Sequence, residues 1–418
     1  MKLQLELAFK TIKRWGTVFF PRGCHHGNSP GISQKTPAHL PLTPLLAERL
    51  AALFDAEWYL SKYPDVAAAG VDALQHYLEH GVGEKRNPHP LFDTEWFLSR
   101  HPEVVSRGLN PLQHYIDLYG TDPGVQARVM AGRVLNLYSD SSSWPAVINP
   151  TEEAGIVISA CSRLFEPLYA NLCNIRQQGC DLPVDVWHLP GEFTARQIAS
   201  LGSMANFVDA GLTPFNGKSG RHEVHGFKAW MLSNSRFRKT LMLDVNSFPL
   251  QNLKAIFQSG HRCILWRDGP WGTHPERITE LRRSLKLSTH PFEFESGQLY
   301  VDKETEGVRH ALRFAAAINT LGRDLYVFLY GDKETYSLAF DLLGESFSVA
   351  PAPEIYPVNP VRCANGGLIQ PWFDGSILFY HPLTDRDDWW RFKAEWAVLK
   401  QEAAEAEKQC MQGPPVFD

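Results

Sequence analysis

Basic residues are not in excess in this chain: 41 Lys and Arg stand against 46 Asp and Glu, a formal charge of −5. A dedicated nucleic-acid binder normally carries the opposite balance, and no RNA or DNA module is recognisable, so no nucleic-acid partner is expected. Cysteine is sparse. The seven residues (Cys24, Cys161, Cys173, Cys180, Cys263, Cys363, Cys410) are scattered and odd in number, and none forms a C-x-x-C pair. That spacing argues against a zinc knuckle or a redox pair. With no secretory leader recognisable, reduced thiols and a cytoplasmic location are expected. A carboxylate pair in a glycosidase-like context is missing too, which argues against a hydrolase.

Long uncharged apolar runs are also lacking in the first twenty residues, MKLQLELAFKTIKRWGTVFF. Leu5, Phe9 and Ile12 recur at helical spacing among Lys2, Lys10, Lys13 and Arg14. Such a segment cannot span a bilayer. Two readings stay open: a peripheral helix on an anionic inner-membrane surface, or a terminal helix that frays or docks on the body of the protein. Residues 1–45 therefore read as an amphipathic segment followed by a Pro-, Gly-, Ser- and His-rich linker.

What is present is a globular balance, with 44% hydrophobic and 21% charged residues over 418 positions, long enough for two or three domains. Two segments match at an offset of 38 residues, one from Phe54 and one from Phe92. Trp58 matches Trp96, Pro64 matches Pro102, and His76-Tyr77 matches His114-Tyr115. A repeat of this size is a small supersecondary unit that buries a shared face against its neighbour. Each unit reads as two short helices. Asp55 and Asp93 stand at the N-cap, Pro64 and Pro102 interrupt the first helix, and the second opens after Gly70 or Gly108. His76 and His114 read as packing residues rather than metal ligands, because each sits beside an aromatic with no second ligand at useful spacing. The repeat resembles modules found upstream of glycosyltransferase domains in bacterial polysaccharide-biosynthesis proteins. Over residues 46–122 that resemblance implies a bacterial source and a sugar-polymer context.

From Gly155 the pattern becomes strand, helix, strand. GIVISA (155–160) and VDVWHL (184–189) read as buried parallel strands. Leu164 to Gln178 reads as the helix between them, closed by Gly179. Sheets of this kind bind ligands at the carboxyl ends of their strands, which places a nucleotide near Ser159, Ala160 and Ser162. In 226–250, Ala229–Ser235 reads as a helix and Thr240–Leu243 as a strand ending at Asp244. Alternation along an extended segment would put Asp244 and Asn246 on one side, where oxygen ligands suit a hard divalent cation bridging to a diphosphate. Six basic residues, Arg221 and Lys228 among them, lie between Lys218 and Lys239 against the single acid Glu223.

This stretch resembles the fungal alpha-mannosyltransferase family of the GT-A fold. The matching residues are Lys228, then Leu243-Asp244-Val245-Asn246, then Pro249. Phe294-Glu295-Ser296-Gly297-Gln298 and Leu329-Tyr330-Gly331-Asp332-Lys333-Glu334-Thr335 follow in the family's order, and the resemblance spans about residues 155–383. It implies metal-assisted transfer from a nucleotide sugar (a GDP- or UDP-sugar, with mannose the family's own) to a glycan acceptor, with retention. Lys228, Ser159, Arg221 and Asp244 are then the donor-binding candidates. Asp244, Asn246 and His381 are the ligands for Mn2+ or Mg2+, His381 being delivered to a loop by the strand Ile377–Tyr380. Asp332 and Glu295 are the catalytic or acceptor-orienting candidates. Asn246 departs from the family's second acid and weakens the ion's hold. It favours an alternative, a catalytically weak or inactive module that binds glycan or nucleotide sugar. His381 also reads as an ordinary histidine after a strand, and Asp332 as a cap for the helix opening at Glu334-Thr335. Trp266 and Trp271 read equally as sugar-stacking rings and as core or lid. The expected fold is α/β, a GT-A-type Rossmann-like sheet, preceded by a small all-α repeat domain. The expected boundaries are repeat domain 46–125, linker 126–150, transferase domain 151–400 and a charged tail 401–418.

Overall fold

The computed structural model describes residues 49–146, 148–215, 225–269, 275–329, 331–356 and 367–382. The N-terminal amphipathic segment, Arg221, Trp271 and the charged tail lie outside them.

Each repeat unit folds as three short helices rather than two. The first unit has α1 (Ala56–Lys62), α2 (Pro64–Ala69) and α3 (Ala73–His76); the second has α4 (Thr94–Arg100), α5 (Pro102–Ser106) and α6 (Pro111–Tyr119). The prolines account for the extra helix. Pro64 and Pro102 have no N–H to continue the preceding helix, yet each suits the first position of a new one. Asp55 and Asp93 cap as expected, accepting from the backbone N–H of Trp58 at 2.9 Å and of Trp96 at 2.8 Å. The units share one core, with Tyr59, Tyr77, Phe97 and Tyr115 each no more than 1% exposed. Residues 126–150, expected as a linker, instead carry most of the 15-residue helix α7 (Val125–Ser139), whose Met130 and Val134 are buried in the core of the neighbouring sheet.

The main sheet has seven strands: β1 (Glu152–Ser159), β2 (Val184–His188), β3 (Asn206–Asp209), β4 (Phe237–Leu243), β6 (Cys263–Arg267), β7 (Phe294–Asp302) and β8 (Ser348–Val349). Their order is β3-β2-β1-β4-β7-β6-β8. The first four run parallel, and β7 is antiparallel to both its neighbours. Helices cover both faces, α9 (Ala195–Leu201), α11 (Lys254–Gln258) and α14 (Arg323–Tyr326) among them. Ile156 and Ile158 pack on one side with α8 (Phe165–Gln177), while Val157 packs on the other with α10 (His225–Asn234), α13 (Glu306–Asn319) and α15 (Lys333–Leu343). Strands covered on both faces become continuous apolar runs, the pattern GIVIS showed. The α/β class expected from the sequence, a largely parallel sheet preceded by helical units, is the architecture found. A small antiparallel sheet, β5 (Phe248–Pro249), β11 (Ile377–Pro382), β10 (Gly367–Pro371) and β9 (Glu354–Tyr356), lies alongside. Cys161, Cys180 and Cys263 are free thiols. No helix among the described residues is long and apolar enough to cross a membrane.

One arginine fastens the helical units to the sheet. Arg277, on α12 (Pro275–Ser284), is 1% exposed and donates to the carbonyls of Pro90 (2.7 Å), Phe92 (3.1 Å) and Val327 (3.0 Å), and to Asp93 Oδ2 (2.9 Å). Asp93 thus serves as helix cap through one oxygen and as ion-pair partner through the other. Arg100 of α4 adds a second tie, to Asp324, which Arg133 of α7 also holds at 2.8 Å. Replacing Arg277 by Met strands three carbonyls and a carboxylate in the interface. The substitution is expected to cost about 3 kcal/mol, read as a lower urea midpoint; an unchanged midpoint would show that the grip contributes nothing.

Candidate functional site

Ile158 of β1 is in register with Leu243 of β4, so Ser159 and Asp244 leave the sheet side by side at its carboxyl edge. The chain does not continue extended there. β4 ends at Leu243, Asp244 N–H donates to the Gly297 carbonyl at 2.7 Å, and the Ser247 N–H closes a turn on the Asp244 carbonyl at 3.0 Å. Asn246 therefore lies in a turn, and strand alternation does not align it with Asp244. The turn is itself held from below, because Asn171 Nδ2 donates to the carbonyls of Asp244 (3.2 Å) and Ser247 (3.0 Å).

Lys228, on α10, reaches the strand end. Its Nζ lies 2.6 Å from Asp244 Oδ1 and 2.8 Å from Oδ2. Burial pushes the Asp244 carboxyl upward, but Lys228 and then His381 outweigh it and hold the group below its ordinary value. Burial likewise pushes the Lys228 ammonium down, and Asp244, Asp332 and Glu295 together reverse that. The lysine is thus the shared counter-charge of three carboxylates.

Glu295 and Asp332 close the ring. Glu295 Oε1 accepts the N–H groups of Ser296 (2.9 Å) and Gly297 (2.8 Å), which fixes the carboxylate. Asp332 follows Gly331, whose φ of 75° turns the chain into α15. It stands at the N-cap position but makes no side-chain cap; its oxygens accept instead from Ser296 Oγ and Tyr336 OH, both at 3.1 Å. The capping reading is therefore set aside. Burial raises both carboxyls above their ordinary values, against Lys333 at Glu295 and Lys228 at Asp332, while the Asp244 charge adds to the rise at each.

His381 sits within β11, paired with Leu368, rather than in a loop. Its Nδ1 is 3.7 Å from Glu295 Oε1. Gly297 makes that approach possible, since a Cβ there would stand 2.5 Å from the imidazole. Trp266 is wholly buried on β6 against Phe379, a core residue and not a sugar platform.

Two groups escaped sequence reasoning. Asp268 follows β6 as Asp244 follows β4, an acid at the end of an apolar strand, and that shared pattern was the available signal. Its carboxyl is pushed up to about 6 by burial and by the charge of Glu295, with Lys333 opposing. Lys333 pairs with Asp268 and, at 2.7 Å, with Glu293. His225 lies 3.9 Å from Asp332 Oδ1; no local pattern marks it, because its partner is far along the chain.

A hard divalent ion fits this chemistry. Asp244, Asn246 and His381 offer a carboxylate, an amide carbonyl and an imidazole. Burial is the largest cause of the rise at Glu295, Asp332 and Asp268, and a cation beside them would offset it. Lys228 supplies part of it at the Asp244 oxygens.

Glu334, next to the cluster, accepts from Phe294 N–H at 2.6 Å and anchors the start of β7. Burial raises its carboxyl from 4.5 to about 7. Between those values the folded chain keeps a proton that the unfolded chain has released, so stability falls as pH rises through the window and levels off above it. Glu334→Gln is expected to remove that dependence. Relative to the unsubstituted protein it gains on the order of 1–3 kcal/mol between pH 5 and pH 7.5, measured by denaturant unfolding at both. A difference independent of pH would refute the assignment.

Comparison with known proteins gives a partial family match. A mannosyltransferase family model, Mannosyl_trans3, matches residues 153–291, about a third of the chain. The matched segment holds Lys228, Asp244 and Asn246 but stops short of Glu295, Asp332 and His381. No curated protein matches the chain. Among solved structures, the apo bifunctional glycosyltransferase WbbM is similar at 11% identity and a TM-score of 0.35, over 49% of this chain and 40% of that one. Core-mannan synthase A from Aspergillus fumigatus, in a Mn/GDP form, is similar at 10% identity and 0.31, over 50% and 74%. The galactosyltransferase LgtC, with donor and acceptor sugar analogues, is similar at 13% and 0.30, over 46% and 84%. The chain thus spans less than half the length of WbbM, and likenesses this loose say nothing about its donor or acceptor. The family match supports a glycosyltransferase.

Proposed function

We propose that this chain is a glycosyltransferase that moves a hexose, with mannose the first to be tried, from a nucleotide diphosphate sugar to a glycan acceptor, with retention. The observation that carries the reading is the Lys228–Asp244 pair at the carboxyl ends of β1 and β4, ringed by Glu295 and Asp332.

The chemistry follows from where charge develops. Breaking the bond between sugar and diphosphate leaves negative charge on the departing phosphate, and fixed cationic groups stabilise it most in a water-poor cleft. Lys228, held by Asp244, is such a group. A Mn2+ or Mg2+ ion held by Asp244, Asn246 and His381 would add charge neutralisation at the diphosphate. Ser159 stands where a nucleotide is expected to lie. Asp332, locked by Ser296 and Tyr336, positions a sugar or acceptor hydroxyl, and Glu295 serves the acceptor side. The polysaccharide context and bacterial source belong to this proposal through the repeat.

Asn246 favours a second reading, binding without turnover, since it takes one negative charge from the ion's site. Calorimetric titration of GDP-mannose, UDP-glucose and UDP-galactose, with and without Mn2+, addresses the first question. One donor is expected to bind with metal dependence, and Asp244→Ala to weaken it at least about tenfold. No binding of any donor would sink the transferase. Asp332→Asn separates the two readings: donor affinity should persist while transfer falls on the order of 10²-fold. A protein that binds donor but transfers nothing before substitution is the binding module.

A further inference from the structure

We propose that the second helical unit carries a site for a divalent transition metal, built from His101, Glu103 and His114 and suited to Zn2+. The site is independent of the cluster around Lys228.

The three residues belong to three different elements. His101 sits at the joint between α4 and α5, Glu103 is on α5, and His114 is on α6. Glu103 Oε1 lies 3.0 Å from His101 Nδ1 and 3.3 Å from His114 Nε2, and one ligand atom from each residue falls within 4.8 Å of the others. Ligands about 2.0–2.1 Å from a tetrahedral zinc stand roughly 3.4 Å apart, so the two measured edges already suit a shared ion. The sequence offered no second ligand near His114; folding over Pro102 brings two.

The first unit shows what the second has changed. At the same offset Tyr59 becomes Phe97, Tyr63 becomes His101, Asp65 becomes Glu103, and His76 is kept as His114. In the first unit the histidine is occupied, with its Nδ1 bonded to the Tyr59 hydroxyl at 3.1 Å. The acid is occupied too, gripped by Arg86 at 2.9 and 2.7 Å. The second unit has lost the hydroxyl, gained an imidazole, and lengthened the acid by one methylene. The Phe97 ring that replaces Tyr59 packs on His101, with centroids 4.3 Å apart, and fixes its plane. Two imidazoles and one carboxylate form a donor set that suits zinc and its neighbours over calcium or magnesium. The His101 and His114 side chains are 20% and 18% exposed and Glu103 is 45% exposed, which leaves an entry path and room for water as a fourth ligand. A bound ion would tie α4, α5 and α6 together, one residue from the contact that Arg100 makes with Asp324 on the helix Arg323–Tyr326.

The test is zinc binding to the full chain after chelator treatment, measured by titration against a chromophoric chelator. Asp244→Asn, which disables the other candidate cation site, is expected to keep one zinc equivalent. His101→Tyr, the residue the first unit carries there, is expected to weaken that equivalent at least about tenfold while leaving the metal-free unfolding midpoint unchanged. Zinc should raise the midpoint of the unsubstituted protein and not that of His101→Tyr. Should His101→Tyr fold poorly, Glu103→Gln, which removes only charge, is expected to weaken zinc binding by a similar factor. A single zinc that disappears in Asp244→Asn would overturn the proposal. So would zinc binding that persists undiminished in the folded His101→Tyr or Glu103→Gln variant.

Discussion

The arrangement of the candidate site depends on one largely buried ion pair, Lys228 being 13% and Asp244 22% exposed. An ammonium and a carboxylate are each costly to bury alone, and together they are tolerable only with close geometry and further partners. Lys228 and Asp244 meet both conditions. The lysine reaches both carboxylate oxygens from α10, and the backbone of Asp244 is tied to β7 and to Asn171. Because Lys228 also answers Glu295 and Asp332, those acids can gather within one buried region without being expelled from it. Remove that charge and the strand ends would present three acids to one another.

The same economy governs the attachment of the helical units. Arg277 satisfies three carbonyls and a carboxylate in a single buried fork, a task suited to the planar guanidinium with its five donors. It sits in the stretch between two of the main-sheet strands, so the element that carries β6 into β7 also holds the repeat.

Much of this was legible locally. The parallel strands, the caps at Asp55 and Asp93 and the acid at the end of β4 follow from short-range patterns, whereas the helix read over Ala229–Ser235 begins earlier, at His225, and so takes in Lys228. The errors have local causes. Prolines that were read as interruptions act as first residues of new helices. A stretch read as a linker holds α7, whose apolar positions find their partners on distant helices. Alternation was carried one step past the end of β4 into a turn.

The sequence by itself determined the parallel strands, the caps at Asp55 and Asp93 and the two-faced burial of the parallel sheet, because propensity and hydrophobic period act over a few residues. Only the tertiary structure decided which side chains meet. Asp332 came to Ser296 on β7, His381 came to Glu295 across a glycine, and His101 and Glu103 came to His114. These contacts join positions whose spacing along the chain carries no period. They form because burying a charge or an imidazole requires a partner, and the packing of the elements decides which partner is within reach.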